Sequence, residues 1–174
     1  MLYNLFMKYR RLLIPGGTYF FTLVTHQRKR IFHIPQHVDL LRESRRQVQT
    51  RHPFTIVAAV ILPDHLHMIW TLPENDADYS MRWRLIKAGF TIEYQQITGD
   101  TQPWQNRYWE HFLHDDQDLE RHMEYIHYNP VKHGWVEKPE DWKYSSIHKL
   151  MRDGAYPEIL DSNEIRGMIA AGDG

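Results

Sequence analysis

Two histidines separated by a single residue are the first feature of this sequence that could do chemistry. The segment DHLHMIW places His65 and His67 in a predicted strand, His65–Leu72, where alternate side chains share one face. Two imidazoles on one face of a strand can bind a single divalent ion. The spacing alone is weak evidence, because the chain holds twelve histidines and such pairs arise by chance. The apolar strand predicted at Phe54–Leu62 strengthens it, because a hairpin with a buried strand would bring the pair into the body of the fold.

A tyrosine and an asparagine four residues apart form a second candidate group. Tyr125 lies near the end of a predicted helix, Asp116–Tyr128, and Asn129 would continue the same face. A phenol is a possible nucleophile and a carboxamide oxygen a possible metal ligand. The residues alone favour the plainer alternative, in which the tyrosine packs with its hydroxyl in water and Asn129 caps the helix before Pro130.

The elements that would position these groups follow the order β-α-β-β-α-β-α. The remaining predicted elements are a strand at Thr18–Thr25, a helix at Gln36–Arg51, a helix at Ser80–Gln96 and a strand at Arg107–His114. The apolar stripe expected along the second of these helices consists of Met81, Leu85, Ala88 and Ile92. This order resembles a ferredoxin-like, or RRM-like, antiparallel sheet of the α+β class with helices packed on one face.

Composition limits the class of protein further. A chain of 174 residues that is 42% hydrophobic and lacks cysteine fits a globular domain and excludes a disulfide scaffold, a thiolate zinc site and a cysteine nucleophile. It contains no apolar run of about 18 residues, so we expect no membrane partner and a cytoplasmic location. We expect one domain at residues 1–150 and a peripheral C-terminal tail at residues 151–174.

The charge is unevenly distributed along the chain. Residues 1–60 hold ten Lys and Arg against two acidic residues, a balance of +8, and the rest of the chain has a balance of −9. The simpler interpretation is an ordinary solvated surface, and the more specific one is a basic face that binds a polyanion. The candidate phosphate contacts are Arg10, Arg11, Arg28, Lys29, Arg30, Arg82, Arg84, Lys87 and Arg107. The candidates for stacking on unpaired bases, most of which we expect to be core residues instead, are Tyr19, Phe20, Trp83, Trp104, Tyr108 and Trp109.

Several segments resemble the REP-associated tyrosine transposases, which are single-tyrosine HUH nucleases related to the transposases of the smallest bacterial insertion sequences. The resemblance runs in order from about residue 9 to about residue 150. The matching segments are YRRLLIPGGTYFFTLVT, AVILPDHLHMIWTLPE, WQNRYWEHFLHDDQD, YIHYNPVKHGW and DWKYSS.

The resemblance implies a role for each matched position. His65 and His67 match the pair of histidine metal ligands. Tyr125 matches the nucleophile, and Asn129 matches the position of a third protein ligand. The implied cofactor is Mg²⁺ or Mn²⁺, and the implied activity is strand-specific cleavage and transfer of single-stranded DNA through a 5′-phosphotyrosine. The implied partner is a REP-type DNA hairpin at the bacterial nucleoid, bound by a monomer, with a dimer as the alternative.

Two questions stay open at this level. The group that takes the phenolic proton is undecided between His122, His127 and a water on the metal. The rival function is a non-catalytic module that binds single-stranded nucleic acid hairpins. The sequence lacks an RNP-type strand motif, which counts against an RNA-binding version of that module.

Overall fold

The computed structural model describes residues 11–154, which form a four-stranded antiparallel sheet with helices on both faces. The strands are β1 (Thr18–Val24), β2 (Thr55–Ile61), β3 (His65–Thr71) and β4 (Trp109–Phe112), in the spatial order β2-β3-β1-β4. The helices are α1 (Pro35–Arg51), α2 (Tyr79–Thr98), α3 (Asp116–Lys132) and α4 (Ile147–Arg152). This is a ferredoxin-like strand order, so the predicted α+β class is confirmed.

The larger core lies between the sheet and the helices α1 and α2. Alternate residues of β1, Tyr19, Phe21 and Leu23, point into it. Trp70 of β3 stacks on Trp83 of α2 with ring centroids 4.1 Å apart, and both side chains are fully buried. Large buried aromatic side chains contribute much of the apolar area that stabilises a domain of this size. This core therefore fixes which face of each strand points away from α1 and α2.

The opposite face of the sheet is covered by α3. Ile126 of this helix packs on Phe20 of β1 and Ile69 of β3, within a smaller core. The expectation that the helices share one face holds for α1 and α2 and is wrong for α3. The reason is that the second face of the sheet is also apolar, so another element has to cover it and shield it from water.

The buried face of α2 differs from the predicted stripe. Ile92, which the prediction placed in the stripe, is 58% exposed. The aromatic residues instead determine the buried face, because they bury more apolar surface area than Met81 and Ala88 would. They are Tyr79, Arg82, Trp83, Ile86, Phe90 and Tyr94.

The segment after α3 covers the free edge of β2. Tyr144 O accepts from the N–H of Ile61 at 2.9 Å, and Ser146 N–H donates to Ala59 O at 2.8 Å. This pairing satisfies backbone groups that an exposed edge strand would leave open. The predicted boundary between domain and tail, at residues 150 and 151, falls inside α4, and residues 155–174 of the predicted tail lie outside the described part. Among the described residues, none of the helices has the length and apolar character needed to cross a membrane.

Candidate active site

β3 carries the histidine pair on the face of the sheet that α3 covers. His65 and His67 are 5% and 4% exposed, and their ring centroids lie 5.1 Å apart with nearly perpendicular planes. The alternate residues Leu66, Met68 and Trp70 point into the opposite core. Because those side chains fix the orientation of the strand, both imidazoles are held on one face, as the alternation predicts.

Asp64 orients the ring of His65. His65 Nδ1 lies 2.6 Å from Asp64 Oδ1, and Arg28 Nη1 lies 3.3 Å from Asp64 Oδ2. Burial raises the pKa of Asp64, but the hydrogen bonds and charges of His65 and Arg28 outweigh it and lower the pKa overall. An ionised carboxylate only accepts hydrogen bonds, so a neutral His65 donates from Nδ1 and keeps a lone pair on Nε2. That nitrogen lies 3.4 Å from Asn129 Oδ1.

His67 is held by the neighbouring strand. Its Nδ1 lies 2.8 Å from Thr22 Oγ1, and within the described residues its buried Nε2 has no hydrogen-bond partner. Burial, followed by the charges of neighbouring groups such as His65, lowers the pKa of His67 well below its usual value. The ring is therefore neutral near pH 7, as a metal-binding imidazole must be.

The helix that carries Tyr125 continues through Pro130, four residues beyond its predicted end at Tyr128. A proline in the last turn has no backbone N–H, so one intrahelical hydrogen bond is lost there. The helix nevertheless continues for two residues beyond the proline. Gly134, at φ +70°, then ends the helix, and Trp135 N–H donates to Pro130 O at 2.9 Å, as in a Schellman motif. Asn129 is therefore inside the helix, and the interpretation of this residue as a terminal cap is wrong.

Tyr125 and Asn129 lie on the side of α3 that faces the histidines. The rings of Tyr125 and His67 meet edge to face with centroids 5.3 Å apart, and the Phe20 ring lies 6.0 Å from Tyr125. Asn129 is fully buried, whereas Tyr125 is partly exposed. The phenol thus borders both the buried cluster and the solvent, where a nucleophile for a large substrate has to be. The structure brings the four predicted site residues together.

The donor atoms of this cluster fit a divalent ion. His65 Nε2 and Asn129 Oδ1 face each other as two acceptors, and His67 Nε2 is buried without a partner among the described residues. A buried acceptor without a partner, such as His67 Nε2, costs free energy, which a cation bound to its lone pair would remove. Two imidazoles and one amide oxygen suit Mn²⁺, and Mg²⁺ would keep more of its waters.

Two residues at the end of α3 also border the cluster, and the sequence analysis missed them. Lys132 Nζ lies 5.2 Å from the centre of the Tyr125 ring, and the ring centroid of His133 lies 5.1 Å from that of His65. Burial, and then the charge of His65, lowers the pKa of His133. The available signal was helical spacing, because His133 follows Asn129 by four residues. Ending the predicted helix too early concealed it.

Arg82 is a structural residue, and its prediction as a phosphate contact is wrong. The side chain is 1% exposed because it lies on the buried face of α2. Its guanidinium donates to the carbonyls of His52, Pro53 and Asp78 and pairs with Asp76 Oδ2 at 2.7 Å. These bonds satisfy the desolvated charge, so the group is committed to the fold and is closed to DNA.

Three of the other predicted basic residues lie near the histidine end of the sheet. Arg28 is exposed and pairs with the carboxylate that orients His65. Lys29 Nζ lies 2.9 Å from Asp100 Oδ2, and the guanidinium of Arg30 lies 5.1 Å from the centre of the Trp135 ring. Surface pairs of this kind contribute little to stability, so a phosphate could compete for these cations.

The remaining predicted phosphate contacts are spread over other surfaces. Arg84 and Lys87 belong to α2, which covers the face of the sheet opposite the histidines. Burial lowers the pKa of Lys87. Arg107 is exposed just before β4, and Arg11 pairs with a buried glutamate at 3.3 Å. Arg10 lies outside the described residues.

Among the aromatic residues considered for base stacking, Trp109 has a widely exposed ring. It is 50% exposed and packs edge to face on Phe20 with centroids 5.7 Å apart. It is paired with Thr22 across β4 and β1, and Thr22 is paired with His67 across β1 and β3. Trp109 therefore shares one row across the sheet with His67. The other candidates are partly buried (Tyr108) or buried (Tyr19, Phe20, Trp83 and Trp104).

Comparison with known proteins places a chain of this fold, with this tyrosine and histidine cluster, in the class of tyrosine transposases. It is 42% identical over 174 residues to a Haemophilus influenzae protein provisionally described as a REP-associated tyrosine transposase, with 92% of this chain and 98% of that one covered. It is 44% identical over 150 residues to the REP-associated tyrosine transposase of Escherichia coli, with 86% and 88% covered. No family model matches the chain.

A solved structure gives the same assignment. It is a REP-associated tyrosine transposase bound to a REP hairpin, with a TM-score of 0.79, 43% identity, and 86% of this chain and 88% of that one covered. The chain therefore belongs to the REP-associated tyrosine transposases, as its motifs predict, and it is an enzyme of the transposase and nuclease class.

Proposed function

We propose that this enzyme cuts and rejoins one strand of REP-type DNA hairpins in a metal-dependent reaction, through a covalent 5′-phosphotyrosine on Tyr125. The observation that carries the proposal is the convergence of Tyr125 with lone pairs on His65, His67 and Asn129 in one corner of the fold. A related enzyme of known structure is bound to a REP hairpin, which supports the choice of substrate.

The phenolic oxygen of Tyr125 would attack the phosphorus of a phosphodiester. A bond forms between this oxygen and phosphorus, the bond from phosphorus to the 3′-oxygen breaks, and the leaving oxygen takes up a proton to become a 3′-hydroxyl. A free phenol has a pKa of about 10, so its proton has to leave during the attack. The phosphotyrosine keeps the energy of the broken bond, so a 3′-hydroxyl can reverse the step and join a strand without ATP.

His65, His67 and Asn129 would hold the divalent ion, Mg²⁺ or Mn²⁺. When bound, the ion supplies positive charge that neutralises phosphate oxygens and stabilises the leaving 3′-oxygen. Asp64 keeps the lone pair of His65 directed at the site through its contact with Nδ1. Lys132 adds a positive charge beside the Tyr125 ring, and so favours the approach of an anionic phosphate.

The structure argues against His127 as the proton acceptor. His127 Nε2 lies 2.8 Å from Ser146 Oγ, and the His127 side chain is fully buried. Burial lowers the pKa of His127 to about 4. His122 commits its Nδ1 to the backbone carbonyl of Asp118 at 2.8 Å. We propose water as the acceptor of the phenolic proton, because Tyr125 is partly exposed.

The DNA would lie across the open part of the sheet face, next to α3. An unpaired base could stack on Trp109, which contributes about 1–3 kcal/mol in comparable complexes. Arg28, Lys29 and Arg30 are the nearest candidates for contacts to phosphates, since they surround the histidine end of the sheet. Because the cluster is complete within one chain, a monomer acting at the nucleoid in the bacterial cytoplasm is sufficient.

The test is a search for the covalent adduct with a hairpin labelled at its 3′ end, because the 5′-phosphate of the downstream fragment stays on the protein. The wild-type enzyme with Mn²⁺ should give a labelled band of protein mass on a denaturing gel. Tyr125→Phe should give none and should bind the hairpin within a few-fold of wild type. Tyr128→Phe, a change of the same type at a buried tyrosine of the same helix, is the control and should keep the adduct. An adduct in the Tyr125→Phe variant would refute the assignment of the nucleophile.

A further inference from the structure

A second group of metal-ligand side chains lies outside the candidate active site. His111 belongs to β4, and Asp118 and His122 belong to the first two turns of α3. One donor atom from each of the three lies within 4.8 Å of the others. His111 Nε2 is 3.0 Å from Asp118 Oδ2, His122 Nδ1 is 3.2 Å from Asp118 Oδ1, and the two imidazole rings stack with centroids 4.9 Å apart.

The charge state of this group suits a cation. Burial raises the pKa of Asp118, but hydrogen bonds from His111 and from the backbone of His114 outweigh it, so the pKa is lowered and the carboxylate is ionised. Burial lowers the pKa of His122 more than Asp118 raises it, so this ring is neutral near pH 7. One carboxylate and two imidazoles supply one negative charge and two nitrogen donors. This is a donor set that borderline ions such as Zn²⁺ prefer.

The distances are also close to those of a bound ion. Zn²⁺ binds nitrogen and oxygen at about 2.0–2.2 Å, which places tetrahedral ligands about 3.4 Å apart. His111 Nε2 and His122 Nδ1 contact different oxygens of Asp118, at 3.0 and 3.2 Å, and one ligand atom from each of the three residues lies within 4.8 Å of the others. Small side-chain rotations would therefore create the site. To bind the ion through these nitrogens, His122 and His111 would move the protons that Nδ1 and Nε2 now donate to Asp118 to the other nitrogen of each ring.

We propose that His111, Asp118 and His122 bind one Zn²⁺, or a similar transition-metal ion, with water as the fourth ligand. The site is separate from the candidate active site, because the Phe20 ring stands between them, 4.9 Å from the His122 ring and 5.3 Å from that of His67. The bound ion joins β4 to the start of α3 and thereby fixes the helix that carries Tyr125. It has a structural role and does not depend on the proposed reaction.

The test measures the metal itself in the absence of DNA. The full chain with His65→Ala and His67→Ala leaves the second group intact, and it should retain one Zn²⁺ per chain after dialysis. Co²⁺ in place of Zn²⁺ should give the visible absorption of tetrahedral coordination, and Zn²⁺ should raise the Tm. Adding Asp118→Asn should remove the bound ion, the absorption and the increase in Tm. His114→Ala, at an exposed neighbouring histidine, is the matched control and should keep all three.

Two outcomes would overturn the proposal. One is a double-alanine variant that binds no Zn²⁺ although circular dichroism shows it to be folded. The other is an equal amount of Zn²⁺ on the chains with and without Asp118→Asn, which would mean adventitious binding by other histidines. If the alanine variant fails to fold, the same comparison is made in the wild-type background, where Asp118→Asn should lower the count of bound ions by one. His111→Gln and His122→Gln, measured separately, replace Asp118→Asn if that variant fails to fold.

Discussion

Replacing Asp64 with asparagine tests whether the carboxylate prepares His65 to bind a metal. The side chain is 21% exposed, and its Oδ1 lies 2.6 Å from His65 Nδ1. Asparagine has the same shape and can still accept a hydrogen bond, but it carries no charge. The change therefore isolates the electrostatic part of the contact and leaves the packing of β3 in place.

The expected magnitude follows from the type of hydrogen bond that is lost. A bond to a charged group contributes about 1.5–3 kcal/mol and a neutral one about 0.5–1.5 kcal/mol. The difference of about 1–1.5 kcal/mol corresponds to roughly a tenfold loss of metal affinity, within the 10–100-fold range known for residues that support metal ligands. Arg28 would lose its partner, but this residue is exposed, and the loss of a surface ion pair adds little.

The assay is the Mn²⁺ dependence of hairpin cleavage, measured as the concentration that gives half of the maximal rate. Asp64→Asn should raise this concentration about tenfold and leave the maximal rate within a few-fold of wild type. Asp100→Asn is the matched control, because that carboxylate forms a similar ion pair at 2.9 Å with Lys29, which is not one of the predicted metal ligands. Equal Mn²⁺ requirements for the two variants would refute the role of Asp64.

Three further predictions concern other parts of the molecule. Asn129→Ala should cleave slowly at low Mn²⁺ and recover at high Mn²⁺, and Mn²⁺ curves that superimpose on wild type would remove Asn129 from the ligand set. Trp109→Ala should weaken hairpin binding by about 1–3 kcal/mol and leave its salt dependence unchanged, because the stacking surface is lost without loss of charge; unchanged affinity would exclude stacking there. The hydrogen bond from Arg82 lowers the pKa of Asp76. The stabilising effect of this bond is therefore present above the unfolded-state pKa of about 3.9, and it is lost as the pH falls through the lower pKa of the native state. Asp76→Asn should therefore lower the free energy of unfolding by about 1–2 kcal/mol at pH 7 and by almost nothing in strong acid, and an equal loss at both pH values in urea titrations would contradict this reasoning.

The sequence predicts the sheet and the histidine pair well because both depend on local patterns. Alternation in β3 assigns His65 and His67 to one face whatever the tertiary structure. The strand boundaries of β1, at Thr18 and Val24, lie within one residue of the prediction, since a glycine turn and a run of aromatic and β-branched residues mark them.

The errors arise where tertiary contacts decide. Arg82 resembles any surface arginine in the sequence, and its burial depends on carbonyls brought to it by the loop at His52 and Pro53. The proline in YIHYNPV predicts a helix end, yet the closing turn at Gly134 allows α3 to continue. Lys132 and His133 reach the site because of that extra turn, so the helical spacing that links His133 to Asn129 is informative only once the helix is known to continue.

The continuity of α3 has a consequence for how the enzyme is organised in solution. The helix packs on the sheet of its own chain, so the proposed nucleophile and the proposed ligands belong to one chain and would act in cis. The rate per molecule should then be independent of enzyme concentration. A mixture of Tyr125→Phe and His67→Ala chains should stay inactive, because the intact tyrosine of one chain cannot act with the intact metal ligands of another.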